Sequence, residues 1–391
     1  MAMLILFIIL SILVNPSSAK TNYNVLSFGA RGNGVTDSTQ AFINAWAAAC
    51  ASTEPTTIYV QKGRYLLGPV AFKGGCKSSD ITLRIDGTLV APADFRVLGQ
   101  AENWVSFDQV TGVSIIGGSL DAKGSALWVC KAQAGTNCPN GATTLSITNS
   151  NNIRINGLFS LNSQLYHIVI NRCQDVLVEG IKVIASGNSP NTDGIHVQQS
   201  KNVKIINSSI KTGDDCVSIG PATNNLWIEG VTCGPGHGIS IGSLGKDMEE
   251  EGVRNVTVKN TVFKGTQNGL RIKSWAKPSN GFVKGVQFID AVMQNVQNPI
   301  VIDQNYCPHN LNCPDQASGV KINDVLYQNI RGTSATPVAI KFDCSSKYPC
   351  KGIKLQNVNL TYLKQVARSS CSNVIGTTFG LVKPDNCLSL D

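Results

Sequence analysis

The chain has 391 residues and a formal net charge of +8, with 42% apolar and only 15% charged residues. This composition excludes a disordered chain and a charged coiled coil, because both need far more charge. The 37 glycines and 35 asparagines favour frequent turns and argue against a mostly helical protein. The basic surplus favours a polyanionic partner, for which nucleic acid, a membrane surface and an acidic polysaccharide are the choices. The absence of a basic run or a zinc-finger spacing disfavours nucleic acid.

The amino-terminal segment has the pattern of a secretory signal. Residues 3–14 are apolar apart from Ser11, and the small residues Ser17, Ser18 and Ala19 follow. An apolar run this short is typical of a signal peptide rather than of a membrane-spanning helix. We therefore predict a signal peptide over 1–19, one mature domain over 20–391, and a secreted, extracellular protein with no membrane partner.

A helix is predicted near the start of the mature chain. Asp37 and Gln40 have the spacing of a capping box, and the helix-favouring run 41–49 follows them directly. No linker or low-complexity segment separates this helix from the remainder of the chain. We expect it to belong to the same domain.

A turn residue followed by a short alternating apolar strand recurs along the chain, with an early copy at Gly112-Val113. The first apolar residues of the later copies are Ile153, Val176, Val203, Leu226, Val256, Val286, Val320 and Ile353. The residue before each of them is Asn, Asp or Gly, the types that enter the left-handed backbone region at least cost. A sharp bend is therefore predicted at the same place in every repeat.

The repeats are 23 to 34 residues apart and hold several short strands, with no room for a crossover helix. This pattern predicts an all-β, single-domain, right-handed parallel β-helix, whose open N-terminal end the helix 41–49 would cover. A β-propeller or a sandwich is the alternative, although propeller repeats are longer, about 40–50 residues, and more even.

Thirteen cysteines fit a protein that folds in an oxidising compartment. Twelve of them pair at short separations. The predicted disulfides are Cys50–Cys76, Cys130–Cys138, Cys216–Cys233, Cys307–Cys313, Cys344–Cys350 and Cys371–Cys387. Cys173 is left over in an apolar segment and is predicted to be a buried free thiol. No C-x-x-C spacing occurs, so no metal site is predicted.

Polar clusters interrupt four consecutive repeats. They contain Asp193, the pair Asp214 and Asp215, His237, and the pair Arg271 and Lys273. The separations are close to one repeat, and equivalent positions on adjacent coils of a β-helix lie about 4.8 Å apart. The carboxylates and the histidine should therefore meet on one face. The two cations stand two residues apart, which directs both side chains to one side of a strand.

Three neighbouring carboxylates repel each other unless a metal ion or a catalytic role explains them. Catalysis is the interpretation we favour, because like charges raise one pKa and so separate a general acid from a base. A calcium loop or a solvated turn is the alternative. The two flanking glycines favour a functional role for His237 over a purely structural one. Arg271 and Lys273 alone would indicate only a solvated strand face.

Taken together and in order, the motifs resemble those of plant polygalacturonases, members of glycoside hydrolase family 28. The motifs are Asn191-Thr192-Asp193, Gly213-Asp214-Asp215, Gly236-His237-Gly238 and Arg271-Ile272-Lys273, and 24–30 resembles the first strand of the family. The resemblance covers nearly all of 23–387. It implies a pectin-lyase-like solenoid that hydrolyses α-1,4-galacturonosyl bonds of polygalacturonate, or pectin, in the cell wall. It also implies inversion at the anomeric centre and no cofactor or metal.

The resemblance also implies a role for each matched residue. Asp214 would be the general acid, and Asp193 and Asp215 would hold and activate the water. His237 would tune the protonation of Asp214. The substrate-binding residues would be Asn191, Arg271, Lys273 and Tyr306, with the two cations on a substrate carboxylate.

Three questions stay open at this stage. A pectate lyase and a non-catalytic pectin-binding β-helix are rival functions. Carboxylates about 5 Å apart on adjacent coils are typical of retaining glycosidases, whereas the resemblance implies inversion. Endo and exo action are not distinguished. We further predict a monomer, with glycans at the sequons of Asn207, Asn255 and Asn359.

Overall fold

The structure, a computed structural model, describes residues 20–133, 137–308, 311–314 and 316–390. The predicted signal peptide, 1–19, lies outside these described residues. The helices are α1 (Thr39–Ala51), α2 (Arg96–Gly99) and α3 (Ser125–Ala132), with a 3₁₀ turn at Val25–Phe28. No helix in the described ranges has the length and apolarity to cross a membrane.

The strands of the first half are β1 (Thr21–Asn24), β2 (Asn33–Asp37), β3 (Thr56–Val60), β4 (Arg64–Leu66), β5 (Val70–Lys73), β6 (Ile81–Ile85), β7 (Thr88–Val90), β8 (Asn103–Asp108), β9 (Thr111–Ile116), β10 (Ser119–Asp121), β11 (Thr143–Thr148), β12 (Asn151–Asn156), β13 (Phe159–Leu161), β14 (Ile168–Asn171), β15 (Gln174–Glu179), β16 (Lys182–Ile184) and β17 (Ile195–Gln198). Those of the second half are β18 (Lys201–Ile206), β19 (Ser209–Lys211), β20 (Val217–Ile219), β21 (Asn224–Glu229), β22 (Thr232–Cys233), β23 (Ile239–Leu244), β24 (Val253–Lys264), β25 (Asn268–Trp275), β26 (Phe282–Val296), β27 (Asn298–Tyr306), β28 (Lys321–Gln328), β29 (Arg331–Ser334), β30 (Val338–Asp343), β31 (Cys350–Tyr362), β32 (Gln365–Val366), β33 (Arg368–Ser372) and β34 (Val374–Lys383).

The strands stack in parallel into three faces, apart from the antiparallel pair β31–β32. The middle coils give one strand to each face, whereas the long strands β24, β26 and β31 each span the first and second faces. The first face contains the series β12, β15, β18 and β21, and the second contains β13, β16, β19 and β22. The third face is an 11-stranded sheet that runs from β5 to β33 and includes β14, β17, β20, β23, β25 and β27. The right-handed parallel β-helix that the repeats predict is confirmed.

The predicted bends lie where the chain enters the first face. Asn152, Asp175, Asn202, Asn225 and Asn255 all have φ between 53° and 58°. Side-chain amides also link successive bends, as where Asn202 Nδ2 donates to Asp175 Oδ1 at 2.8 Å and Asn225 Nδ2 donates to Asn202 Oδ1 at 2.8 Å. The apolar residue after each bend points inward and forms part of the core.

One predicted repeat position is wrong. Val286 pairs with Val325 rather than with Val320, and Val325 then pairs with Ile353. The bend lies at Asp324, with φ of 56°, whereas Gly319 is not among the residues with positive φ. The long connection between β27 and β28 shifts the repeat along the sequence. Residues 319–322 therefore have the sequence pattern of a turn followed by a strand, but they do not lie at the repeat position on the first face.

Helix α1 covers the N-terminal end of the solenoid, as predicted. The Trp46 ring packs against Phe72 and Phe107 with centroids 5.1 and 5.5 Å away, and its Nε1 donates to the Lys73 carbonyl at 3.0 Å. These aromatic rings bury the apolar surface that an uncovered first coil would expose to water.

The predicted capping box is wrong. The helix begins at Thr39, and the Asp37 carboxylate accepts from the Thr39 backbone N–H at 2.8 Å. Gln40 donates instead to the side chain of Asn44 at 2.9 Å. Asp37 therefore forms a turn just before the helix, and the two side chains do not act as a reciprocal pair.

All six predicted disulfides are present, with Cα–Cα distances between 4.3 and 6.1 Å. Each closes a loop of 6 to 26 residues. Cys173 is a free, buried thiol, as predicted, and burial raises its pKa to about 11. A thiol with this pKa is protonated and unreactive at neutral pH.

Candidate active site

The predicted catalytic residues lie at the start of three consecutive strands of the third face. Asp193 precedes β17, Asp214 and Asp215 precede β20, and His237 precedes β23. The strands pair Ile195 with Val217 and Val217 with Ile239, which makes Asp193, Asp215 and His237 the equivalent positions. Asp214 lies one residue earlier, in the turn. A separation of about one repeat fits either Asp214 or Asp215, and the register makes Asp215 the neighbour of Asp193.

The motif glycines keep these turns close together. A Cβ on Gly213 would collide with the backbone of Ser189, and one on Gly238 would collide with the carbonyl of Asn268. Gly238 also has φ of 92°, a left-handed conformation that disfavours other residues. The glycines that flank the catalytic side chains therefore allow adjacent coils to pack closely.

Asp215 is the centre of a buried ion network and is only 1% exposed. Its Oδ1 accepts from Ser240 Oγ at 2.7 Å and from Arg271 Nη2 at 2.8 Å, and its Oδ2 accepts from Lys273 Nζ at 3.0 Å. Burial alone would raise the pKa of Asp215, but Lys273 and Arg271 outweigh it and lower the pKa to about 2. Asp215 is thus an anion throughout the working range of a protein.

Asp193 has the opposite electrostatic environment. It is buried, and burial together with the charges of Asp214 and Asp215 raises its pKa well above the ordinary range. Ser218 and Lys273 oppose that rise only in part. Two carboxylates on adjacent coils thus have widely separated pKa values, and perturbed pKa values of this kind are concentrated at functional sites.

Asp214 and His237 form a more open pair. The Nδ1 of His237 lies 3.0 Å from Asp214 Oδ1, and their side chains are 37% and 19% exposed respectively. The same Asp214 oxygen accepts from the backbone N–H of Asp215 at 2.8 Å. The second oxygen, Asp214 Oδ2, is therefore the one free to meet a ligand.

These groups surround a cleft of about 420 Å³. Of the residues predicted from sequence, it is lined by Asn191, Asp193, Asp214, Asp215, Lys273 and Tyr306. Lys273 Nζ lies 5.0 Å from the centroid of the Tyr306 ring, close enough for a cation–π interaction. His237 and Arg271 do not line the cleft, and they act on it through Asp214 and Asp215.

Sequence reasoning missed several residues of the site. Ser240 bridges Arg271 and Asp215, since it also accepts from Arg271 Nε at 2.9 Å. His196 forms part of the cleft wall, with Nδ1 2.8 Å from Ser218 Oγ and Nε2 3.1 Å from Gln198 Oε1. His196, Ser218, Ser240 and Arg271 occupy one row of paired positions, a signal that needs the strand register.

The cleft continues into a larger groove towards the N-terminal end. This groove has a volume of about 640 Å³ and shares Tyr166, His196 and Gln198 with the cleft. The Tyr166 ring stacks on His196 with centroids 5.2 Å apart. A polymer bound at the carboxylates can therefore extend along the third face.

A metal ion has one geometric possibility among the described residues. Asp214, Asp215 and His237 can each offer one ligand atom, with all three atoms within 4.8 Å of one another. However, both oxygens of Asp215 already accept from cationic side chains. The positive charges of Arg271 and Lys273 disfavour a divalent cation at this place.

Residues 50–380 match the family model described as Glycosyl hydrolases family 28. The chain belongs to this family. Residues 22–74 also match a model described as Rhamnogalacturonase A/epimerase, pectate lyase-like. The four motifs that carried the resemblance lie inside the matched range of family 28.

Curated relatives extend over nearly the whole length of this family-28 chain. It is 61% identical to a polygalacturonase of Prunus persica over 99% of this chain and 98% of the relative. It is 43% identical to an exopolygalacturonase of Platanus acerifolia, over 94% and 98%.

Solved structures share the fold. A polygalacturonase from Erwinia carotovora matches with a TM-score of 0.73 and 26% identity, over 93% of this chain and 98% of that one. An endo-xylogalacturonan hydrolase from Aspergillus tubingensis matches with a TM-score of 0.80 and 22% identity, over 93% and 99%.

Proposed function

We propose that this protein is a secreted polygalacturonase that hydrolyses α-1,4-galacturonosyl bonds of polygalacturonate with inversion. One observation carries the proposal: Asp215, held as an anion by Arg271 and Lys273, lies in a cleft beside Asp193, whose pKa is raised. The family and the names of its full-length relatives support the substrate.

Asp193 and Asp215 divide the work on the attacking water. Asp215, with a pKa of about 2, is a weak base, but as an anion it orients the water. Asp193 has the higher pKa and is the stronger base once it is ionised. Asp193 therefore takes the proton of the water, while Asp215 fixes its position.

Asp214 is the general acid. It lines the cleft next to both other carboxylates, and it keeps Oδ2 free of the hydrogen bonds that engage Oδ1. From there it protonates the oxygen of the leaving sugar. His237, 3.0 Å from Oδ1, holds the carboxyl group in place.

Lys273 recognises the substrate carboxylate. Its ammonium group lines the cleft over Tyr306 and is 9% exposed, so that a bound uronate meets it with little intervening water. Arg271 contributes through Asp215 and Ser240, and Asn191 lies at the exposed rim of the cleft. A galacturonate methyl ester, which lacks the charge, would bind less well.

The setting of the protein is the extracellular space of the cell wall. Six disulfides in the described chain favour an oxidising compartment, and a signal peptide over 1–19 would deliver the chain there. We propose that it acts as a monomer. Asn207, Asn255 and Asn359 are all exposed on the solenoid, and of these we propose Asn207 and Asn359 as the glycan acceptors.

One assay separates the proposed function from its rivals. Incubation with polygalacturonate should release reducing ends without the ultraviolet absorbance of a new C=C bond, and EDTA should not slow the reaction. A pectate lyase would produce that absorbance and lose activity with the chelator. A protein that only binds pectin would release no reducing ends.

A further inference from the structure

The first face of the solenoid carries cations around an exposed tryptophan. Trp227 in β21 is 37% exposed, and it pairs with Lys204 in β18 on one side and with Thr257 in β24 on the other. Four more basic residues lie on β18, β24 and β26, each at a position that pairs with a neighbouring strand of this face. We call the set the cationic face, which consists of Trp227, Lys201, Lys204, Arg254, Lys259 and Lys284.

The cations of this face form no close ion pair. None of the five forms an ion pair with any residue in the described part of the chain. The carboxylates nearby are engaged by neutral donors: Glu229 accepts from Trp227 Nε1 at 2.9 Å and from Asn260 Nδ2 at 3.1 Å, and Asp175 accepts from Asn202 Nδ2 at 2.8 Å. The five cations therefore lack a close ion pair, although Arg254 shares a depression with Glu249, Glu250 and Glu251, and the charge of Lys201 acts on Asp175.

The cationic face is continuous with the groove that leads to the carboxylates. At the turn between the third and first faces, a depression of about 340 Å³ is lined by Arg172, Lys201 and Arg254, together with the amides of Gln174 and Asn224. Arg172 also lines the larger groove on the third face. A basic surface thus runs from the groove, around the turn, onto the first face.

We propose that the cationic face is a second binding site for polygalacturonate, outside the cleft, and the choice of this polymer rests on the proposed function. Strands of one face are about 4.8 Å apart, close to the length of one sugar, so cations on different coils can meet carboxylates of different sugars in one chain. The indole offers apolar surface to the C–H groups of a sugar ring. A polymer held there raises the effective concentration of cleavable bonds at the cleft.

Glycosylation provides an independent check, because the sequon of Asn255 lies on this surface next to Arg254. Asn255 Nδ2, the atom that would carry a glycan, donates to Asn224 Oδ1 at 3.2 Å. The second site requires Asn255 to be unmodified. Peptide mapping of the secreted protein that finds a glycan on Asn255 would overturn the proposal.

The decisive experiment measures binding away from the cleft. The Asp214→Asn protein, which should not digest the polymer, is run through native gels containing polygalacturonate, with excess trigalacturonate to occupy the cleft. Retardation should persist and should weaken as salt is added, since salt screens exposed charges. Lys204→Glu, made in that background, should weaken the remaining binding about three- to tenfold, and Trp227→Ala should weaken it too.

Lys211→Glu is the matched control, because it makes the same charge change on the exposed second face. Equal losses for Lys204→Glu and Lys211→Glu would mean that only net charge matters and would overturn the proposal, as would no retardation once the cleft is occupied. With Asp214 intact, Lys204→Glu and Trp227→Ala should hydrolyse trigalacturonate at the wild-type rate. Failure of the wild type in that assay would instead contradict the proposed function.

Discussion

Lys273 and Asp215 are joined across two coils of the solenoid, with Nζ 3.0 Å from Oδ2, although 58 residues separate them in the sequence. The lysine also lines the cleft, where its charge faces a bound substrate. One ammonium group thus keeps a buried carboxylate ionised and offers attraction to a uronate. The first prediction follows from this double role.

Replacing Lys273 by Met should raise KM for polygalacturonate and narrow the preference for de-esterified over methyl-esterified pectin. The pKa of Asp215 should also rise, because one of the two cations that lower it is gone. Values of kcat/KM on both polymers, for wild type and variant, measure the effect. Lys211→Met, on the exposed second face, is the control and should leave the ratio alone. An unchanged ratio in Lys273→Met would remove Lys273 from substrate recognition.

Asp214→Asn keeps the shape of the side chain and removes the proton donor. Turnover should fall by roughly 10²-fold or more, while the melting temperature changes little because the side chain is partly exposed. Reducing-end assays and thermal melting check both parts. Asp324→Asn, an exposed aspartate on the first face, should keep full activity. Substantial activity in Asp214→Asn would rule out Asp214 as the acid.

Asp193→Asn should make the protein more stable at neutral pH while it abolishes hydrolysis. The folded-state pKa of Asp193 is raised, so the stability contributed by its proton is present below the unfolded pKa and is lost as pH rises through the folded one. An amide never ionises and avoids that loss. Melting temperatures of wild type and variant from acid to neutral pH should diverge as pH rises. If the melting temperatures of wild type and variant change with pH in the same way, the raised pKa of the buried Asp193 carboxyl group is contradicted.

The same raised pKa should shape the activity of the wild type. Asp193 accepts a proton from water only when it is ionised, so kcat/KM should fall as pH decreases through its raised pKa. The fall should therefore begin at a higher pH than ordinary carboxylates would give. A profile that stays flat down to the ordinary carboxyl range would assign the base to Asp215.

Ser240→Ala removes the hydroxyl that bridges Asp215 and Arg271. The loss of a buried hydrogen bond to a charged group should lower the free energy of unfolding by about 1–3 kcal/mol. Denaturant unfolding measures it. Ser106→Ala, at an equivalent position in β8 away from the ion network, is the matched control and should cost less. Equal losses would show that the bridge adds nothing.

The sequence predicted the solenoid because its turns need residues that tolerate positive φ, and such residues recur visibly. The sequence could not set the strand register across long connections. Val320 was therefore predicted at a repeat position that Val325 occupies. The predicted site residues came together for the same reason as the fold, since they recur once per coil. The pairing of Asp193 with Asp215 rather than with Asp214 needed the strand register.

Site residues that belong to no sequence motif were not predicted. Ser240, Ser218 and His196 share a row with Arg271, but a serine or histidine in a strand has no sequence signal of its own. The disulfides were predictable because each of the twelve paired cysteines has its partner close in sequence. The capping box was not, because Asp37 and Gln40 fit the spacing while the helix begins between them.

The stereochemistry of the first-formed product tests the central claim most directly. Proton NMR of early turnover on polygalacturonate resolves the new reducing end before it mutarotates. Hydrolysis of an α bond by water that Asp193 activates, with Asp214 as the acid, should give the β-anomer first. The α-anomer first would indicate a retaining mechanism with a carboxylate nucleophile, as the expected spacing of about 5 Å between adjacent coils alone would suggest, and would contradict the account.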